Sequence, residues 1–213
     1  MTRLTIIVAA TLTNGIGHNS RLPWRLSKEM AYFARITSNA PEGAMNTVLM
    51  GRNTWESIPP KFRPLPKRIN VVLSSNKHYE LMPSDAATPP VPVYLHSNLQ
   101  SALARLSHPE WLETPVHRSF VIGGAALYRE TLSLSPSSES FVDRILLTRI
   151  VSPAFEQCDV HMPDFQSVGV SSDDSLPWRR ASHEELQSWA GFDVPAGSQV
   201  EAGVEYEFQM WVR

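Results

Sequence analysis

Apolar positions along the 213-residue chain gather into short runs, each closed off by turn residues. Leu4–Thr11 (LTIIVAAT), Asn46–Gly51 (NTVLMG), Arg68–Ser75 (RINVVLSS), Val91–Ser97 (VPVYLHS), Ser119–Gly124 (SFVIGG) and Asp143–Val151 (DRILLTRIV) read as strands rich in Val, Ile and Leu. Continuous apolar strands suit a sheet covered on both faces. Helical stretches fall between them: Ser27–Thr37, a short Thr54–Ser57 turn stopped by Pro59-Pro60, Asn98–Leu106 and Ala125–Leu132. Strand alternating with helix predicts an α/β fold with a largely parallel sheet. The final run, VEYEFQMWV, alternates Val204, Tyr206, Phe208, Met210 and Val212 with mostly polar neighbours, which predicts an antiparallel strand with one more buried face. Pro83–Pro92, Ser133–Ser140 and Ser167–Pro177 read as loops inserted into a single domain spanning 1–213.

One helix carries a charge in an awkward place. Leu26, Glu29, Met30 and Phe33 fall at i, i+3, i+4 and i+7, the spacing of one buried face. If Ser27 is the N-cap, Glu29 sits in the first turn, where the helix dipole favours a carboxylate by roughly 0.3–1 kcal/mol. Burying it unpaired costs far more than that. A buried Glu29 therefore needs a partner, such as a ligand carrying N–H donors. A dry pocket would push its pKa up while the helix N-terminus pulls it down.

Net charge of -2 gives no whole-molecule attraction to nucleic acid or anionic membrane. One cysteine, Cys158, excludes an intrachain disulfide and a multi-cysteine metal site, and fits a reducing compartment. No run approaches the roughly 20 apolar residues of a membrane span, and the N-terminus does not read as a secretory signal, so a cytoplasmic protein is expected. The seven histidines show no metal-ligand spacing, and no nucleophile elbow is present. The dinucleotide fingerprint is also missing, because Gly15-Ile16-Gly17 has no glycine three residues on. Two strand-to-helix turns could bind phosphate instead: Gly51-Arg52-Asn53-Thr54 and Gly123-Gly124. Taken singly, each is better explained as a plain strand-to-helix turn. Arg68, opening its strand, reads either as a solvated strand end or as a fork for a carboxylate.

Taken in order, VAA (8–10), GIG (15–17), LPW (22–24), Glu29 with Phe33, MGRNTWESI (50–58), PLPKRINVVLS (64–74), VIGGAALY (121–128), LTRI (147–150) and the aromatic last strand resemble the dihydrofolate reductase family, in particular its fungal members. The resemblance implies a mostly parallel eight-stranded sheet flanked by helices, with an antiparallel C-terminal strand. It implies NADPH-dependent reduction of 7,8-dihydrofolate to 5,6,7,8-tetrahydrofolate for one-carbon metabolism, inhibition by antifolates, and a monomer without nucleic-acid or membrane partners.

Site roles follow from the same resemblance. Glu29 would accept hydrogen bonds from the pterin, supported by Thr148, with Trp24 helping to hold water. The proton would reach N5 directly or through water and pterin tautomerism. Ile7, Val8, Ala9, Leu22, Met30, Phe33, Ser57, Ile58, Leu65 and Ile122 would surround the substrate, and Arg68 would grip its glutamate tail. Ala9, Ile16, Gly51, Arg52, Asn53, Thr54, Leu73, Ser74, Ser75, Ser97, Ile122, Gly123, Gly124, Ala125, Ala126, Leu127 and Tyr128 would line the NADPH channel. A cis peptide is expected at Gly123-Gly124, and Asn14–Trp24 would form a mobile loop over the nicotinamide. Few basic side chains are available for a 2'-phosphate, so preference for NADPH rests on Arg52, Ser74, Ser75 and Ser97. Two rivals share these features: a related pterin or pyrimidine reductase, and a non-catalytic nucleotide-binding module. Arg68 argues against the first, since it has work only if the substrate carries a carboxylate tail.

Overall fold

Strand β1 (Thr2–Thr11) runs through the middle of the sheet and alternates between two cores. Leu4, Ile6, Val8 and Ala10 enter one hydrophobic cluster and Ile7 the other. The computed structural model describes residues 2–82, 88–167 and 177–213, so the proline-rich and serine-rich loops near 83–92 and 167–177 lie partly outside the described residues. After β1 come β2 (Gly15–Gly17), α1 (Ser27–Ser38), β3 (Met45–Gly51), α2 (Arg52–Ser57), β4 (Arg68–Leu73), β5 (Val93–His96), α3 (Leu99–Ser107), β6 (Val116–Gly123), α4 (Ala125–Leu132) and β7 (Ser140–Ser152). The chain then forms β8 (Val160–His161), β9 (Arg179–Arg180), α5 (His183–Ala190), β10 (Ser198–Glu201) and β11 (Val204–Val212).

The main sheet runs in the order β10-β11-β7-β1-β6-β3-β4-β5, with the short β9 pairing β11. All neighbours from β7 to β5 are parallel, whereas β11 is antiparallel to β7 and to β10. The expected mostly parallel sheet with an antiparallel final strand is therefore present. Helices cover both faces. Leu99, Leu103 and Leu106 of α3 and Leu127, Tyr128 and Leu132 of α4 pack into one cluster. Tyr32 and Ile36 of α1, Trp55 of α2 and Leu186 of α5 enter the other, where Val204, Tyr206, Phe208 and Met210 supply the predicted face of β11.

Two expectations about α1 need correction. Its N-cap is Leu26, with no side-chain capping bond, and Ser27 lies inside the helix. The predicted stripe is also rotated: Glu29, Tyr32 and Ile36 are buried, while Met30 is 49% exposed. Met30 is excluded from the core because the sheet meets the helix on the Tyr32–Ile36 side. Four elements near the C-terminal end were not predicted: β8, β9, α5 and β10. Their brevity gives little periodicity, although Ser182 and Glu185 form a capping box that marks the start of α5.

Candidate active site

The site is a gap in the sheet. Strand β1 is paired with β7 from Thr2 to Thr11, yet its ladder with β6 runs only from Leu4/Ser119 to Ile6/Val121. Beyond that point Ile7–Ala9 and Ile122–Gly124 flank an opening at the carboxyl ends of parallel strands, where open α/β sheets place ligands. The Tyr128 hydroxyl donates to the freed Ile7 carbonyl at 3.0 Å, tying α4 to β1. Ile7 shares one cluster with Trp24, and the partly buried Ala9, Phe33, Ile58, Leu65 and Ile122 pack against it. Val8 points into the opposite cluster, so only its main chain faces the same side as Ile7. Exposed Ser57 turns its hydroxyl back onto the Thr54 carbonyl at 2.7 Å.

Glu29 stands at the inner wall. A cavity of roughly 470 Å³ is lined by Leu22, Trp24, Arg25, Leu26, Ser27, Glu29 and Met30. Leu22 and Met30, each about half exposed, form its apolar rim. The Glu29 carboxylate is 6% exposed and accepts one hydrogen bond from the Thr148 hydroxyl of β7, at 3.1 Å. Burial pushes its pKa up to about 7; the Thr148 bond opposes that rise and the negative charge of Glu201 adds to it. The carboxyl therefore holds and releases a proton near neutral pH. Trp24 is 4% exposed, and its indole N–H has no protein partner among the described residues. A buried donor of this kind needs water or ligand to satisfy it.

Arg68 is tied to the far end of α1 through Thr37. It is 4% exposed, its Nε donates to the Pro66 carbonyl at 2.9 Å, and its Nη1 donates to Thr37 Oγ1 at 2.7 Å. Desolvation pulls its pKa down to about 10, so it stays cationic at neutral pH. Among the described residues it forms no salt bridge. An uncompensated buried guanidinium is a receptor for a carboxylate. Thr37 closes the helix that Glu29 opens, eight residues earlier, and a rise of 1.5 Å per residue separates the two positions by about 12 Å. Helix α1 thus spaces a buried acid near its start from a buried cation held at its end. Sequence reasoning missed Asn70, which is fully buried and clamps the neighbouring segment through Leu65 N–H (2.9 Å) and the Leu65 carbonyl (3.0 Å). Its place two residues after Arg68 on an apolar strand was the available signal.

The two glycine turns meet. A Cβ on Gly51 would lie 3.9 Å from the Gly123 carbonyl and 4.0 Å from the Gly124 nitrogen. Gly123 has φ +120°, and a Cβ there would come 3.1 Å from the Tyr128 hydroxyl, so only glycine fits. The Gly123-Gly124 peptide is cis, as expected. Neither α2 nor α4 has a side-chain N-cap, which leaves the first backbone N–H groups of both helices without a side-chain partner, beside the two glycine turns that meet. That cradle fits a pyrophosphate. Ala125 and the exposed Ala126 open α4, whereas the side chains of Leu127 and Tyr128 are core. Arg52 is exposed beside Tyr79, with 5.9 Å between guanidinium and ring centroid, and Asn53 accepts from it at 3.4 Å. Leu73 packs into the core, while Ser74, Ser75 and Ser97 lie at or just beyond the ends of β4 and β5 on the same side of the sheet.

The segment expected to be a mobile loop is anchored at its start. Gly15–Gly17 pairs with Val160–His161, Met162 N–H donates to the Asn14 carbonyl at 2.8 Å, and Asn19 N–H donates to Asp159 at 3.0 Å. A Cβ on Gly15 would sit 2.7 Å from both Cβ and Sγ of Cys158, so glycine is required for this close approach. Ile16, between the two glycines, packs against the cluster that contains Val8.

Comparison with known proteins gives one answer. The sequence model of the family described as dihydrofolate reductase matches residues 3–185. A dihydrofolate reductase of Cryptococcus neoformans is 42% identical over 98% of this chain and 94% of its own length. One of Pneumocystis carinii is 41% identical, with 99% and 96% covered. The solved structure titled Schistosoma mansoni dihydrofolate reductase superposes with a TM-score of 0.71 at 32% identity, covering 99% of this chain and 98% of that one. Likeness of that extent, in sequence and in fold, makes the chain a member of the dihydrofolate reductase family.

Proposed function

We propose that the cleft reduces 7,8-dihydrofolate to 5,6,7,8-tetrahydrofolate with NADPH, and that the chain acts as a single-domain cytoplasmic monomer. The observation that carries the substrate assignment is the pairing along α1 of a buried, protonatable Glu29 with a buried, uncompensated Arg68. Together they fit a molecule with a basic heterocycle at one end and a carboxylate at the other. Cytoplasmic location is supported by the lone free cysteine, and among the described residues no helix is long and apolar enough to cross a membrane.

When bound, NADPH supplies the hydride that reduces the pterin at C6. The chain supplies position and a proton. Free N–H groups at the starts of α2 and α4 would hold its pyrophosphate, and Arg52 would meet its 2'-phosphate. Ile7, Ala9 and Ile122, at the gap in the sheet, shape the space between cofactor and substrate. Glu29 accepts from the pterin ring nitrogens, and its near-neutral pKa makes it the source of the proton that reaches N5, directly or through water and pterin tautomerism, a contribution of about 10² to 10⁴-fold. Thr148 fixes the orientation of that carboxylate. Leu22 and Met30 exclude water from the rim, while Arg68 binds the tail.

Purified chain should consume NADPH with dihydrofolate and show no turnover with riboflavin precursors. Lack of turnover with dihydrofolate would refute the assignment.

A further inference from the structure

Helix α1 has no capping residue of its own, yet its first amides are satisfied from the far side of the fold. Ser27 N–H donates to Glu201 Oε1 at 2.6 Å, and Lys28 N–H donates to Oε1 at 3.2 Å and Oε2 at 3.0 Å. Glu201 ends β10, and the turn to β11 is made by Ala202 and Gly203, with φ of +50° and +77°. Two positive φ values in succession mark the tight hairpin that matches strand twist. The hydroxyl of the buried Tyr206 on β11 donates to Glu201 Oε2 at 3.4 Å. The carboxylate is thus held by its own hairpin and delivered to the helix terminus, where the dipole favours it.

We infer that Glu201 is a positioning residue for the Glu29 carboxyl, locking the first turn of α1 to the sheet from 174 residues away. The inference rests on the reading of Glu29 as the substrate-facing acid. Its physical content has two parts. The two amide bonds fix the turn that carries Glu29, which would otherwise fray with its N–H groups open to water. The charge of Glu201 also disfavours ionisation of Glu29 and keeps its proton on at higher pH. Among the described residues, the other groups that interact with that carboxyl are neutral: Thr148 on β7, Tyr32 on α1, Tyr128 on α4 and Tyr206 on β11. Arg25 lines the outer wall of the cavity, and β3, packed against α1, carries no titratable side chain. Glu201 on β10 is the acid that acts on the pair.

The test separates the two parts by titration and amide exchange, with steady-state kinetics as an added readout. The ligand-free full chain, labelled with ¹³C at glutamate carboxyls, is titrated by NMR, with Glu29 assigned from its missing signal in Glu29→Gln. Glu201→Gln keeps an acceptor for the amides and deletes the charge. The Glu29 midpoint should fall by roughly half a pH unit for a charge of this kind near the surface. Glu201→Ala should shift it as well and raise amide exchange at Ser27 and Lys28 at least tenfold. In assays, it should also raise KM for dihydrofolate more than it lowers kcat. An unmoved midpoint in Glu201→Gln, or unchanged Ser27 and Lys28 exchange in Glu201→Ala, overturns the inference. Glu201→Gln retains the cap, so the test stands even if the alanine variant does not fold. A wild-type chain inactive toward dihydrofolate would refute the substrate assignment while leaving this titration readable.

Discussion

Replacing Arg68 by leucine should make the free protein slightly more stable and the enzyme much worse. The guanidinium is 4% exposed with no acidic partner among the described residues, and burial lowers its pKa to about 10. That fall from the ordinary arginine value is worth roughly 3 kcal/mol against the charged form. The folded pKa is depressed for a base, so the cost is fully present below about pH 10 and disappears as pH rises through and above that value. Neutral pH therefore reports all of it. Against the gain stand two lost hydrogen bonds, to Pro66 and Thr37, of about 1 kcal/mol each. The net gain is about 1 kcal/mol, or roughly 2–4 °C in Tm for a chain of this size. In the complex the variant loses a charge-assisted fork of about 3–4 kcal/mol, which raises KM for dihydrofolate by roughly 10² to 10³-fold. Thermal melts of the ligand-free protein and steady-state assays with dihydrofolate and a tail-less dihydropterin measure both sides. A large fall in Tm, or an equal rise in KM for the two substrates, would show that Arg68 is structural.

Four further outcomes follow from the same geometry. Glu29→Gln should lower kcat by roughly 10² to 10⁴-fold. The raised pKa of Glu29 makes its ionisation a burden on the fold that is absent below about pH 4.5 and complete above about pH 7. The variant should therefore melt higher than wild type at pH 8 and equally at pH 4, and the reverse order would contradict the burial of this carboxyl. Thr148→Val deletes the bond that favours the carboxylate, so the pH profile of turnover should move about one unit to the alkaline side; an acid displacement would exclude that role. Gly15→Ala should lower Tm and slow turnover by pushing Cys158 away, with partial recovery on adding Cys158→Gly; no effect of Gly15→Ala would disprove the close approach. Ala202→Asn suits the left-handed turn and should raise Tm by a few degrees, whereas a lowered Tm would contradict the hairpin geometry.

The strands were legible in the sequence because a parallel sheet buried on both faces writes itself as unbroken apolar runs such as LTIIVAAT and RINVVLSS. Helix α1 was legible in extent but not in rotation. Its apolar positions outnumber those that the sheet can cover, and the cleft claims Met30. Glu29 stood out as a charge on an apolar helix stripe and Arg68 as a cation opening an apolar strand, whereas Thr148 entered only through the family resemblance. Their convergence depended on strand order, which periodicity does not encode. Val8 was assigned to the substrate pocket by family likeness, yet strand alternation turns its side chain into the opposite core. Glu201 and Asn70 escaped notice because a hairpin acid and a strand asparagine have no pattern until the fold brings α1 and Leu65 to them.

The short ladder between β1 and β6 has a consequence for how this protein can be improved. Stabilising a sheet commonly means extending its pairing, but three more residue pairs beyond Ile6 and Val121 would zip the opening shut. Unspent backbone pairing at that seam is the space that the proposed site needs for its reacting rings. Selection for tolerance to heat or inhibitors must therefore work around the seam, through hairpins, caps and helix faces, leaving the most obvious route to a tighter sheet permanently closed.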